Sequence, residues 1–324
     1  MTAPRLDPRE QHFRIPGPHG GLSLFLRFLP ADQTRPCRGV VLYLHGATFP
    51  SALSIAHRFD GRSWRDELCA SGFHVWGLDL HGFGRLSDPY PEMDEPATDH
   101  APLGRAEDAS LQVEQAARFI CAHHRVPRLS IVSHSRGSIV AGRFAGRCAG
   151  LMERLVLFGP IGRRESRSDA AEFMAWQLIT IEEQWKRFVA EVPAGEPPVL
   201  QRRHFDDWAE RYLDTDPASR TRTPAAVKVP GGASKDIADA WAGMLPYDPG
   251  LITCPVAIIR GEWDSLCDDE DARWLLKALS GAPLRRDIKI GRGTHLMHLE
   301  SRRYALYRET ETFLLGRDVA PMTG

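Results

Sequence analysis

Residues 133–137 read Ser-His-Ser-Arg-Gly and have the composition of a turn that presents a nucleophile. The apolar run 129–132 before them predicts a short buried strand, and a helical pattern follows. In a strand–serine–helix turn the hydroxyl is held above the edge of the sheet. The turn is tight, so the residues two before and two after the serine must be small, as Ser133 and Gly137 are. Ser135 is therefore a candidate nucleophile, and it needs a nearby base to remove its proton.

Short apolar runs recur along the chain and predict the strands that must hold this turn in place. Strands are predicted at 12–15, 22–28, 39–44, 73–80, 129–132, 155–158, 256–259 and 287–290. Helical patterns lie at 63–70, 105–123, 138–145, 268–279 and 296–315. Apolar strands that alternate with helices indicate an α/β protein with a mostly parallel central sheet and helices on both faces.

Residues 163–248 interrupt this alternation with helical patterns and no convincing strand. Helices are predicted over 170–192, 204–213 and 234–244. The segment 223–232, which begins with Thr-Pro and ends with Gly-Gly, is typical of a mobile loop. We therefore expect a helical cap over 163–248, inserted into a core formed by 12–162 and 249–316. Such an insertion would lie above the carboxyl ends of the strands, where open α/β sheets bind ligands.

Composition narrows the class of protein. The 324 residues are 43% hydrophobic and 26% charged, which is ordinary for a soluble globular protein. A net charge of −1 gives no overall field that would attract nucleic acid or an anionic membrane. The six cysteines have neither zinc-ligand nor disulfide-framework spacing, so we expect reduced thiols and no metal. The N-terminus has no signal-like apolar segment and no run is long enough to span a membrane, which predicts a cytoplasmic protein.

The chain resembles the α/β-hydrolase superfamily, and five features occur in the family's order. They are His45-Gly46 after a strand, the Gly-rich turn 77–84, the Ser135 turn, the segment 261–264 and the Gly-rich segment 291–295. The resemblance covers about 12–162 and 249–316. It implies the family's fold and a catalytic triad in the chain order Ser135, Asp264, His295.

His295 is the base that the resemblance assigns, because it directly follows the Gly-rich turn after the last strand. His298, three residues further on, is the alternative. The base would take the proton of the Ser135 hydroxyl and become an imidazolium during the attack.

Asp264 is the matching acid, because a carboxylate must orient and stabilise that imidazolium. It comes shortly after the strand 256–259, and Glu262, Asp268 and Asp269 are its competitors. Asp268 and Asp269 are also suited to open a helix, where negative charge stabilises the first turn. No acidic residue occurs at 159–162, so the other position where the acid could stand, after the preceding strand, is empty.

Ala47 and Arg136 are expected to donate their backbone N–H groups to the oxyanion of a tetrahedral intermediate. Arg136 follows the nucleophile, and Ala47 follows His45-Gly46, as the resemblance implies. We expect His45 to hold the loop structurally. The Arg136 side chain, large and charged where the family often has an apolar residue, has three open roles: an ion pair, contact with a substrate carboxylate, or packing turned away from the site.

The sequence favours an acyl-transfer reaction without a cofactor. A serine nucleophile disfavours the epoxide hydrolases and haloalkane dehalogenases of the family, which use aspartate. The first hypothesis is hydrolysis of a carboxylic ester with a modest hydrophobic acyl or alkyl part, through an acyl-enzyme. The alternatives are a thioesterase, acyltransferase or cyclase, a C–C bond hydrolase, and an inactive hydrolase fold that serves as a binding protein.

Aromatic residues around the expected site suggest an apolar pocket, although most should pack the cap on the core. The candidate pocket residues are Thr48 and Phe49, just past the oxyanion loop, and Trp176 and Trp241 in the cap.

Overall fold

The structure is a computed structural model that describes residues 7–165 and 172–316. Ten strands lie in these ranges: β1 Gln11–Pro16, β2 Ser23–Leu29, β3 Gly39–Leu44, β4 Phe73–Asp79, β5 Leu129–His134, β6 Met152–Phe158, β7 Trp176–Thr180, β8 Ala226–Pro230, β9 Val256–Gly261 and β10 Arg285–Ile290. The α-helices are α1 Trp64–Ala70, α2 Ala106–His124, α3 Gly137–Arg147, α4 Ile181–Val189, α5 Arg202–Leu213, α6 Gly232–Trp241, α7 Asp269–Ala278 and α8 Arg303–Leu314.

The central sheet has eight strands in the order β1-β2-β4-β3-β5-β6-β9-β10. β2 pairs antiparallel with β1 and with β4, whereas the remaining pairs are parallel. The prediction of a mostly parallel central sheet is confirmed. Because the strands are parallel, β3, β5, β9 and β10 all end at one edge, and the loops that follow them meet there.

The central strands are apolar on both faces because helices cover both. Leu42 and Ile131 pack on the side of α2, α3 and α7, while Val41 and Val132 pack on the side of α1 and α8. Successive side chains of a strand point to opposite faces, so an unbroken apolar run fills two cores at once. Trp64 of α1, fully buried, stacks on Tyr307 of α8 with ring centroids 5.5 Å apart.

Local capping explains where two of the helices begin. The Ser63 side chain accepts a hydrogen bond from the N–H of Asp66, whose carboxylate accepts from the N–H of Ser63, at the start of α1. Asp268 and Asp271 make the same reciprocal pair at the start of α7. Asp268 therefore opens a helix, as the sequence predicts.

The inserted segment, defined as residues 163–248, differs from the prediction. Residues 170 and 171 lie outside the described residues, but 176–180 form a strand where a continuous helix over 170–192 was predicted. β7 pairs antiparallel with β8, which occupies half of the predicted mobile loop at 223–232. The helical prediction was wrong because the pairing partner of β7 lies far along the chain, where no local pattern shows it. α4 begins only after Thr180, whose hydroxyl accepts from the N–H of Glu183.

The last predicted helix, 296–315, was also too long at its start. A short 3-10 turn at Met297–Leu299 precedes α8, which begins at Arg303. Among the described helices, none is both long enough and apolar enough to cross a membrane. The six cysteines are all free.

Candidate active site

Ser135 lies in a strained turn between β5 and α3. Its φ of 56° is in the left-handed region, which is uncommon for a residue other than glycine and is typical of functional turns. Its N–H donates to the carbonyl of Phe158 at 2.9 Å, which holds the turn on β6. A Cβ at Gly137 would lie 2.6 Å from the carbonyl oxygen of His45, so only glycine fits there.

The structure brings Ser135, His295 and Asp264 together. Nε2 of His295 lies 2.7 Å from Oγ of Ser135, and Nδ1 lies 2.9 Å from Oδ1 of Asp264. With the proton on Nδ1, assigned from these partners, Nε2 is free to accept the serine proton. The three residues are 5%, 4% and 3% exposed, so water is largely excluded from their hydrogen bonds.

The pKa of His295 lies above its usual value of 6.5. Burial lowers the pKa, but the charge and hydrogen bond of the Asp264 carboxylate, together with the charge of Glu191, raise it by more. Glu191 acts in the same direction as Asp264, and Arg187 in the opposite one. The site therefore favours the imidazolium that a base must become when it takes a proton.

Asp264 is held rigidly by its own loop. Its Oδ1 also accepts from the N–H groups of Leu266 and Cys267, both at 3.0 Å. A Cβ at Gly159, after β6, would lie 2.9 Å from Oδ2 of Asp264 and 2.9 Å from Nδ1 of His295. The absence of a side chain at residue 159 thus leaves room for the Asp264–His295 pair.

The competing carboxylates have other partners. Glu262 accepts from the N–H of Arg292 at 2.9 Å. Asp268 caps α7, and Asp269 pairs with Arg260 and Lys289. Of the four acidic candidates, Asp264 is the one placed against the base.

His298 is placed beside the site without joining it. Its ring lies 4.5 Å from that of His134 and 6.2 Å from that of Phe49, measured between centroids. Burial lowers its pKa far below the usual value, so the ring is neutral. Neither of its nitrogens has a hydrogen-bond partner among the described residues. The structure therefore places His295, and not His298, on the serine.

The two expected oxyanion donors lie against the nucleophile. A Cβ at Gly46 would be 3.3 Å from Cβ of Ser135, so the loop carrying Ala47 packs directly on the Ser135 turn. The N–H groups of Ala47 and Arg136 have no acceptor in the part of the chain that the structure describes. Two free N–H groups beside a nucleophile can receive a developing negative charge.

The side chain of Arg136 forms an ion pair and is turned away from the substrate position. It is 1% exposed, and its Nε and Nη2 donate to Oδ2 of Asp236 on α6 at 3.0 and 2.8 Å. Nη2 also donates to the carbonyl of Gly104. Of the three open roles for this side chain, the structure selects the ion pair.

His45 holds the oxyanion loop. Its Nδ1–H donates to the carbonyl of Gly46 at 2.8 Å, and its Nε2 accepts from the N–H of Leu80 at 3.2 Å. Both nitrogens are therefore used by the backbone. His45 has the structural position that the sequence predicts.

The four candidate pocket residues are placed differently from one another. Thr48 accepts a hydrogen bond from Nη1 of Arg187 at 3.1 Å, and Phe49 is buried against Trp208, with ring centroids 5.2 Å apart. Trp176 donates to the carbonyl of Glu95, at 2.9 Å. The ring of Trp241 lies 4.6 Å beneath the guanidinium of Arg164. Thr48 and Phe49 lie beside the oxyanion loop, while Trp176 contacts Glu95 and Trp241 contacts Arg164.

α4 contributes residues that sequence reasoning missed. A cavity of about 180 Å³ borders the base; its lining residues are Arg187, Ala190, Glu191, Ser265, Leu266, His295 and Leu296. A second, apolar cavity of about 620 Å³ lies against another face of α4, lined among others by Trp185, Phe188, Val192 and Leu200. The amphipathic pattern of this segment shows which residues are apolar, but it does not show that its polar face meets His295.

A mostly parallel sheet with a serine at a strand–helix turn, a buried histidine on that serine and an aspartate on the histidine defines an α/β-hydrolase. The sequence profile of the family described as serine aminopeptidase, S33, matches residues 35–302, and the chain belongs to this family. The protein is thus a hydrolase of the α/β-hydrolase fold.

Solved structures share this fold at low sequence identity. A serine hydrolase from the polyaromatic-hydrocarbon-degrading bacterium Cycloclasticus zankles is 16% identical, with a TM-score of 0.63, over 95% of this chain and 99% of its own. The thioesterase domain from the curacin biosynthetic pathway is 15% identical, with a TM-score of 0.60, over 94% and 99%. An esterase from Thermogutta terrifontis is 18% identical, with a TM-score of 0.58, over 94% and 98%. No curated protein matches the sequence significantly.

Proposed function

We propose that the protein hydrolyses a carboxylic ester with a hydrophobic acyl or alkyl part, through Ser135, His295 and Asp264. The observation that carries the proposal is the position of the His295 imidazole, 2.7 Å from the serine oxygen and 2.9 Å from the carboxylate. The order of the three residues along the chain is that of the family. We further propose that residues 163–248 act as a cap, since Arg187 of that segment borders the site.

The reaction follows from this geometry in two halves. His295 Nε2 takes the proton of Ser135 as Oγ attacks the ester carbonyl, and the oxyanion is stabilised by the N–H groups of Ala47 and Arg136. Asp264 stabilises the imidazolium. Collapse of the intermediate breaks the bond to the alkoxy group, which leaves as an alcohol with the proton from His295. Water, deprotonated by the same imidazole, then attacks the acyl-enzyme and releases the acid and the serine. No step needs a metal or a cofactor.

Two observations support an ester with an apolar part. The apolar cavity beside α4 offers room for a hydrophobic chain, and Phe49 places an aromatic ring next to the oxyanion loop. One of the solved structures with this fold is an esterase.

The free thiols support a cytoplasmic location, because reduced cysteines are typical of a reducing compartment.

A thioesterase is the second candidate, because the same fold occurs in the thioesterase domain of the curacin pathway. The triad would act identically on a thioester, with a thiol as leaving group. The acyltransferase, cyclase and C–C hydrolase alternatives use the same acyl-enzyme or the same serine.

The experiment is active-site labelling followed by a substrate panel. A fluorophosphonate probe should modify one residue, Ser135, as shown by intact mass and peptide mapping, while Ser135→Ala stays unlabelled and keeps the wild-type melting temperature. The panel compares p-nitrophenyl esters of increasing chain length with acyl thioesters, β-diketones and aminoacyl amides. Faster turnover of esters supports the proposal. Labelling of Ser135→Ala, or no labelling of the wild type, contradicts it.

A further inference from the structure

Glu191 joins the two loops that carry the acid and the base. It follows α4 by two residues, and its Oε2 accepts from the main-chain N–H of His295 at 2.7 Å. Its Oε1 accepts from the N–H of Ser265 at 2.8 Å and from the hydroxyl of Ser265. Ser265 is the residue after Asp264. One half-buried carboxylate in the inserted segment therefore bonds to the base itself and to the neighbour of the acid.

The two loops follow neighbouring strands of the sheet. Asp264 follows β9, and His295 follows β10. Near the strand ends the loops are joined directly, through the N–H of Trp263 and the carbonyl of Gly293 at 2.9 Å. Further out, the Glu191 carboxylate bonds to both loops. Hydrogen bonds to a charged carboxylate are roughly twice as strong as neutral ones.

The charge of Glu191 also acts on the base. Its negative charge favours the imidazolium form of His295, as that of Asp264 does, and the Arg187 guanidinium opposes both. The other titratable groups near the His295 loop are His134 and His298, which burial keeps neutral, and Glu300, which binds Thr294. His134 lies on β5, His298 and Glu300 lie in the turn before α8, Asp264 follows β9, and Arg187 lies on α4.

We propose that Glu191 is a positioning residue for the triad, one that makes the alignment of His295 with Asp264 depend on the inserted segment. The inference rests on the proposed function, since it assigns Glu191 to the same triad. A displacement of a reacting group by about 1 Å costs on the order of 100-fold in rate. A hydrogen bond that holds the backbone of the base in place therefore has a large effect on the rate. A movement of the inserted segment away from the core would break three hydrogen bonds to the triad loops, and the base would lose this support.

Three variants test the proposal. Glu191→Ala removes the hydrogen bonds and the charge. Glu191→Gln removes the charge and keeps one acceptor oxygen, which can serve His295 or Ser265 but not both. Glu182→Gln is the matched control, because Glu182 lies on α4, is 76% exposed and pairs only with Lys186 among the described residues.

The first readout is the rate of fluorophosphonate labelling at Ser135 in the full-length protein. We expect Glu191→Ala to label at least about tenfold more slowly than the wild type, Glu191→Gln to lie between them, and Glu182→Gln to stay within about twofold. Circular-dichroism melting checks that the labelled samples are folded. The second readout is the NMR titration of His295 in histidine-labelled protein, assigned with His295→Gln. Its pKa should fall in Glu191→Gln, because a stabilising negative charge is gone.

The outcomes separate this inference from the proposed function. If the wild type is labelled at Ser135 and both Glu191 variants label at its rate, the inference is overturned and the proposed function stands. If a Glu191 variant labels more slowly but the pKa of His295 is unchanged, the contact is merely structural and the inference is overturned. The same holds if the loss of labelling rate equals the fraction of the variant that is unfolded. If the wild type is not labelled, the proposed function fails, while the titration still reports directly whether Glu191 acts on His295.

Discussion

The imidazole of His134, the residue before the nucleophile, donates a hydrogen bond of 2.9 Å from Nε2 to the main-chain carbonyl of His295. Burial lowers the pKa of His134 far below its usual value, so the ring is neutral and this bond persists over the working pH range. The carbonyl of the base is thus held by the Ser135 turn, and its N–H by Glu191. The base is fixed from two sides by elements that are distant in the chain.

The activity should follow the protonation of His295. Its pKa lies above 6.5 because the Asp264 and Glu191 carboxylates together outweigh the effect of burial, so kcat/KM should fall as the pH decreases through this raised value. The stability contribution has the opposite sign: it is complete below the unfolded pKa of 6.5 and is lost as the pH rises through the folded pKa.

Asp264→Asn should lower kcat by roughly 10⁴-fold, because the imidazole loses its orienting charge. The rates of ester hydrolysis by the wild type and Asp264→Asn, measured across the pH range, test the pH dependence of kcat/KM and the loss of kcat. An Asp264→Asn enzyme within tenfold of the wild type would contradict the assignment of the acid.

Gly137→Ala should disrupt the Ser135 turn. The added Cβ would meet the carbonyl oxygens of His45 at 2.6 Å and Leu44 at 2.9 Å, and backbone atoms give way poorly. We expect a loss of about 2 kcal/mol or more in the free energy of unfolding, together with loss of labelling. Gly150→Ala is the control, since a Cβ there meets no atom within 4 Å, and it should change stability by less than about 0.5 kcal/mol. Equal urea midpoints for the two variants would refute the steric argument.

The Arg136–Asp236 ion pair should matter for stability more than for chemistry. Both side chains are 1% exposed, and Asp236 also accepts from Arg105 at 2.7 Å. Asp236→Ala leaves a buried charge on Arg136 and should cost about 3 kcal/mol, whereas the double variant Arg136→Met, Asp236→Leu should regain most of it. Urea unfolding measures these differences.

The same double variant should keep its labelling at Ser135, because the expected oxyanion donor of residue 136 is a backbone N–H. Arg118→Ala is the control for the stability of the ion pair. It breaks an exposed pair with Glu114 and should lower the free energy of unfolding by less than about 0.5 kcal/mol. Complete loss of labelling in a folded double variant would mean that the Arg136 side chain takes part in the reaction.

Glu300 should make folding stability depend on pH. Burial raises its pKa to about 7 from 4.5, although the hydroxyl and the N–H of Thr294 both donate to it. With the folded pKa raised, its contribution is complete below pH 4.5 and is lost as the pH rises through about 7. The wild type should therefore lose stability relative to Glu300→Gln across this window. Urea unfolding of the two proteins at several pH values tests this, and a constant difference would exclude a raised carboxyl pKa.

Much of the fold was predictable because the strands of a doubly covered parallel sheet are unbroken apolar runs. β3, β5 and β9 lie within a few residues of their predicted positions. β7 was not predictable in the same way: five residues of mixed polarity precede a helix, and what makes them a strand is hydrogen bonding to β8, as in the pair Leu178 and Lys228.

The sequence by itself determined the candidate nucleophile, the family's order of serine, aspartate and histidine, and the alternation of strands and helices, because each depends on local spacing. Only the tertiary structure decided that His295 rather than His298 contacts Ser135, and that the Arg136 side chain turns to Asp236. It alone placed Glu191 between the acid and base loops. These relationships join residues that are far apart in the chain. Parallel strands bring the loops of Ser135, Asp264 and His295 to one edge of the sheet, and the inserted segment brings Asp236 and Glu191 to them.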